Sequence, residues 1–123
     1  TRRLLEYFSL IKDIAKKILG LIAEARQYSN PYNAGELFRI SEELMGLLVL
    51  IIKPLMDAET LYRSEIERLG SEGKSVASAE ANAKSGQFYA NYRSLERVYK
   101  LAEEQIKLTK KFAGLLSDEL KRI

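Results

Sequence analysis

The sequence predicts an all-α fold, an antiparallel up-and-down helical bundle of the four-helix-bundle type, and three observations carry that prediction. Only two of the 123 residues are proline, and long stretches are rich in Leu, Ala, Glu, Lys and Arg, which lose little side-chain freedom in a helix. Apolar residues recur at alternating spacings of four and three, the period of one helical face. Short turn signals separate the periodic runs. With 46% hydrophobic and 30% charged residues, the chain has enough apolar surface to offset the entropy of ordering. Its length suits a single domain spanning residues 1–123.

Helix one is expected over residues 2–28. Leu4, Phe8, Ile11, Ala15, Ile18, Ile22 and Ala25 form its inward stripe. Asn30-Pro31 ends it, because proline disfavours the helical state of the residue before it. Asn33 and Glu36 have capping-box spacing, so helix two is expected from residue 34. Its stripe is Leu37, Ser41, Leu44, Leu48, Ile51, Leu55, Ala58, Tyr62 and Leu69, ending near residue 70. The stripe keeps phase through Pro54, with no turn-forming residue beside it, which predicts a kink there and makes a full break the second choice.

Gly70 to Ser75 reads as a loop with Ser75 available as N-cap. The third run, residues 75–122, carries Phe88, Tyr92, Leu95, Tyr99, Ala102, Ile106, Thr109, Ala113, Leu116, Leu120 and Ile123 in strict four-three spacing. Upstream, Ala77 and Ala81 continue the phase, and Ser85-Gly86 marks where this run breaks if it breaks. A break there or at Pro54 turns three helices into four. The three runs differ in length, so helix one should cover the first part of helix two and the later part of helix three. The hairpin of residues 60–85 then projects, with Ala77, Ala79, Ala81 and Ala83 allowing close approach.

The chain has no cysteine and no histidine. That removes thiolate nucleophiles, disulfides, zinc sites and the imidazole most acid–base mechanisms use near neutral pH. No convergent set of carboxylates stands out in the sequence. The expectation is therefore a non-enzymatic protein with no catalytic residue, metal or cofactor. Gly73-Lys74-Ser75 resembles the end of a phosphate-binding loop, but the pattern wants glycine where Arg68 stands and a preceding strand. A helix-to-helix turn explains these residues.

Helix two holds the sharpest clue to function. From Leu44 to Ile52 apolar side chains cover about 260° of its circumference, far more than the roughly 100° a surface helix buries. Leu44, Leu48 and Ile51 face inward. Phe38, Met45, Val49, Ile52 and Met56 form a second stripe about a quarter-turn away, with Leu47 and Leu50 on the opposite flank. This second stripe is the expected association surface, and a homodimer is favoured over a fourth helix of the same chain as its cover.

The net charge of +3 is too mild for a general nucleic-acid coat. Its distribution is uneven: residues 1–28 and 71–123 each carry a surplus of three basic groups, and residues 29–70 a surplus of three acidic ones. Lys12, Lys16 and Lys17 on helix one, with Arg93, Arg97, Lys100, Lys107, Lys110 and Lys111 on helix three, make a candidate basic band for phosphates. Glu96, Glu103 and Glu104 interrupt it, so a solvated face is the preferred reading. Tyr62, Tyr92 and Tyr99 fall on inward stripes and read as core, while Tyr28 and Tyr32 flank the Pro31 turn. The run Leu44–Ile52 is too short to span a bilayer, and the acidic helix two is a poor interfacial helix. An intracellular or virion-associated location is expected.

The segment SGQFYANYRSLERVYKLAEEQI, residues 85–106, resembles the small helical proteins of viruses of hyperthermophilic archaea. Surfaces rich in Lys and Glu, with no Cys or His, are similar to that style. The resemblance is one of pattern. It implies a helical bundle similar in architecture to focal-adhesion-targeting domains, working through protein–protein contacts, and bacteriophage helical accessory proteins look similar too.

Overall fold

In the computed structural model, which describes residues 2–28 and 31–122 without the side chains of Leu4, Leu5 and Pro31, the chain is a helical bundle with no strand among the described residues. Helix α1 spans Arg2–Ala25, a 3-10 turn spans Pro31–Asn33, and α2 spans Ala34–Ser71. Helix α3 spans Val76–Lys84 and α4 spans Gln87–Arg122. The Leu4 side chain, Asn30 and Ile123, named above, lie outside the described residues.

Two cross-helix hydrogen bonds fix the direction of α1. The Tyr7 hydroxyl donates to Asp57 at 3.3 Å, and Arg39 donates to Glu24 at 2.8 Å. Residue numbers rise on α1 as they fall on α2, so the pair is antiparallel. Tyr62 stacks on Tyr92 with ring centroids 5.8 Å apart and meets Tyr89 at 5.0 Å. Helix α4 thus starts beside the late part of α2, and it also touches the 3-10 turn just before α2. It therefore runs back along nearly all of α2, parallel to α1.

At 1.5 Å per residue, the 24, 38 and 36 residues of α1, α2 and α4 correspond to about 36, 57 and 54 Å. By the same two bonds, helix α1 covers α2 only from about Arg39 to about Leu61. There the main core forms around Ile18, Leu37, Ile40, Leu44 and Ile51, all essentially inaccessible, with Ala102, Ala113 and Leu116 from α4. Each such aliphatic side chain contributes about 1.5–3 kcal/mol on burial. Beyond α1, the tip has its own small core of Leu69, Ala79 and Ala83 with Tyr62 and Ile66 packed on it.

Several local expectations need correction. Helix α2 runs unbroken through Pro54, which is buried; the full break does not occur. Asn33 is the N-cap of α2, but its side chain makes no capping hydrogen bond. Glu36 pairs instead with Arg39 at 3.0 Å, and Asn33, at φ −93° and ψ 6°, lacks the extended backbone from which a side chain caps. Ser75 does cap α3, accepting from the backbone N–H of Ser78.

The buried alanines of α3 are Ala79 and Ala83, while Ala77 and Ala81 are exposed. The break is the reason. Ser85 and Gly86 close α3 with tight hydrogen bonds to the carbonyls of Asn82 and Ala83, so α3 loses phase with α4 and turns a different face inward. A Cβ on Gly86 would stand 3.3 Å from the Ala83 carbonyl oxygen. In α1 the buried line is Ile14, Ile18, Ile22 and Ala25, and Phe8 is exposed. Phe88 and Leu120 are also exposed. These three rings and chains lie toward helix ends, where fewer neighbours overlap.

Ser41 is fully buried and its hydroxyl has no hydrogen-bond partner among the described residues. A buried unsatisfied hydroxyl costs about 1–3 kcal/mol. Ser41→Ala is therefore expected to raise thermal stability by about 1 kcal/mol in a calorimetric scan, whereas Ser41→Leu should lower it by overfilling the seam.

Candidate association surface

Phe38, Met45, Val49, Ile52 and Met56 all lie exposed along α2, between 40% and 69% accessible. Their spacings of seven, four, three and four hold them on one ridge of the helix, about 27 Å long at 1.5 Å per residue. The ridge points away from α1, because α2 meets α1 through Arg39, Asp57 and Leu47, which lie on the other side of its circumference.

Helix α3, the fourth helix of the chain, does not cover the ridge. It packs at the tip against the Tyr62, Ile66 and Leu69 end of α2. Contiguous apolar surface of this extent on a folded chain marks a contact site. Exposed Glu42 and Lys53 line the edge of the ridge remote from the core. Lys53 holds Asp57 at 3.0 Å, and that hydrogen bond and charge raise the Lys53 ammonium above its usual range.

The candidate basic residues are all exposed and are spread over α1 and α4. Arg93, Arg97, Lys100 and Lys107 share the outward face of α4, and Lys12 and Lys16 are exposed on α1. Lys17 leaves the group. It lines a shallow groove of about 490 Å³ between α1 and α2, with Glu24 and Glu43 at its rim and Gly20, Leu21, Gly46 and Leu47 along it. A single residue step between Lys16 and Lys17 is enough to separate them, since adjacent residues point about 100° apart. Arg93 and Lys100 are both engaged by Glu96, which neutralises much of the row.

Glu96 gathers three side chains along the first half of α4. The Tyr92 hydroxyl donates to it at 2.8 Å. That bond, joined by the charges of Lys100 and Arg93, holds the Glu96 carboxyl below the usual range and against the opposing effect of burial. The same bond raises the Tyr92 phenol. Arg68 does the equivalent for Glu65 at the end of α2. At the other end, Arg39 ties Glu24, Glu36 and Glu43 together, clamping α1 to the start of α2.

The sequence missed the α1–α2 groove, which Gly20 and Gly46 line from the two helices. It also missed the exposed Leu10, Leu108 and Leu115; the seven-residue step from Leu108 to Leu115 was the available signal. Among the described residues no group of His, Cys, Asp or Glu is arranged to hold a metal ion, and no described helix is long and apolar enough to cross a membrane. No protein-family model matches the chain, and no curated protein or solved structure is significantly similar to it.

Because Glu96 and Glu65 bind protons less readily when folded, their stabilisation is present above pH 4.5 and is lost as pH falls through their depressed values. Amide protection near these carboxylates, taken relative to the intrinsic exchange rate, is expected to fall as pH drops below 4.5. Glu96→Gln should lower protection in the first half of α4 at neutral pH and flatten this dependence, which hydrogen exchange over residues 88–100 would report.

Proposed function

We propose that this chain is a non-enzymatic interaction or structural protein that works as a homodimeric helical bundle, pairing through the apolar ridge of α2. The observation that carries the reading is the ridge itself: five large apolar side chains, exposed together, on the side of α2 away from α1. Helix α1 is on the opposite flank and α3 is at the tip, so a second chain is the simplest cover. Closed two-fold pairing is the usual form of self-association. The lack of Cys and His in the sequence supports a role in contact rather than catalysis. A viral setting is the one the sequence resemblance favours, and a virion or host-factor assembly would use such a dimer as a scaffold.

The alternative, a nucleic-acid-binding accessory protein using the basic band, has less support. Lys17 lines the α1–α2 groove, turned away from Lys16, and Glu96 pairs with two of the α4 members.

Light scattering on the purified chain is expected to give twice the 14.0 kDa chain mass. Val49→Glu combined with Met56→Glu should shift it to one chain mass with unchanged helical circular dichroism, since both side chains are exposed. A strict monomer at high concentration would overturn the dimer. DNA binding that falls steeply with added salt would favour the alternative, because phosphate contacts release counterions.

A further inference from the structure

We propose that the second copy docks antiparallel, about a two-fold axis crossing α2 near residue 48, so that α2 lies on the second copy's α2 and α4 on its α4. This orientation rests on the reading that the ridge self-associates, and it is carried by the placement of charge on both flanks of that ridge.

The ridge is balanced about its own middle. Met45 and Ile52 stand equally far from a point between residues 48 and 49, so reversal sets Met45 of one copy against Ile52 of the other and brings Val49 close to its counterpart. On the flank remote from α4, exposed Glu42 and Lys53 lie on nearly the same line of the helix, six residues before and five after residue 48. Reversal brings Glu42 level with Lys53 of the second copy to within about one residue's rise, 1.5 Å. Symmetry repeats the pair.

The α4 flank gives the same centre independently. Tyr62 against Tyr92 and Tyr89 sets the α2–α4 register, which places the stretch around residue 105 level with about residue 48 of α2. Glu103 and Lys107 straddle that stretch, one turn apart. They are half-exposed and exposed respectively, on the outward side of α4 that adjoins the ridge. Reversal therefore sets Glu103 beside Lys107 of the second copy, again twice. Neither these two nor Glu42 has an ion-pair partner within the chain among the described residues.

Parallel docking has the opposite result. It levels Glu42 with Glu42 and Lys53 with Lys53, and it sends the two α4 helices to opposite sides of the α2 pair. Like charges at equal height are unfavourable, and charge pattern is what sets orientation between helices of similar apolar character. The antiparallel face is two helices wide and about 27 Å long, a flat footprint of about 500–600 Å² that surface relief brings toward the roughly 800 Å² per partner of stable interfaces.

The chain has no cysteine, so single-cysteine variants take one spin label per copy. Leu50→Cys and Ser64→Cys are suitable sites, since both residues are exposed and turned away from the ridge. In the antiparallel dimer the labels at residue 64 are displaced along the axis by about 48 Å and those at residue 50 by about 6 Å. Double electron–electron resonance is expected to show the longer distance at residue 64 by roughly 30–40 Å. Equal distances at the two sites in a dimer of confirmed mass would overturn the antiparallel orientation while leaving self-association standing. A monomer with no dipolar signal would overturn both. At low salt Glu103→Lys should raise the dimer dissociation constant several-fold, and adding Lys107→Glu should restore it; no restoration counts against the α4 pairing.

Discussion

The seam between α2 and α4 runs almost the whole length of both helices, and the other elements take their places from it. Close approach along the seam comes from small or short side chains, Ser41 and Ala58 on α2 and Ala102, Thr109 and Ala113 on α4, all buried. Two long helices cannot bury their apolar faces against each other alone, because each presents a stripe wider than one neighbour covers. Helix α1 fills the cleft on one side of the pair for about 36 Å. Past its end the seam needs a different cover.

That cover is α3, and its small size is a consequence of geometry. Nine residues with alanine at the buried places lie close against α2, and the tyrosines of α2 and α4 fill the remaining space. The electrostatics follow the same division. The Arg39 cluster binds α1 to the base of α2, whereas the Glu96 cluster lies along α4 near the tip. Exposed ion pairs of this kind are individually worth about 0.2–1 kcal/mol, and among the described residues only Arg39–Glu24 joins two helices, so most of the stability is left to packing.

The other side of the α2–α4 pair is bare, and it is where the functional reading lies. A three-layered use of the chain, with α1 on one side and a second copy on the other, accounts for an α2 that is apolar over most of its circumference. Such a helix is unfavourable in a lone small bundle and ordinary in the middle of a larger one. The charged residues beside the ridge then act as orientation marks, and the groove holding Lys17 stays outside this surface.

How much of this was legible follows from periodicity. The run of apolar residues with four-three spacing determined the helices, the turns at Pro31 and Gly70–Ser75, and the excess on α2, because those depend on residues near in sequence. Capping at Asn33, the inward face of α3 and the partition of the basic residues were decided by tertiary structure. The Asn33 side chain makes no capping bond because its backbone, at the end of the 3-10 turn, is not extended. Ala79 and Ala83 replace Ala77 and Ala81 because two residues at Ser85-Gly86 break the helical phase. Lys17 parts from Lys16 because the angle of about 100° between adjacent residues puts them on different sides of α1, and only the placement of α2 makes one of those sides a groove. Sequence alone determined which faces are apolar; the unequal lengths of the packed helices decided which of those faces the chain itself could cover.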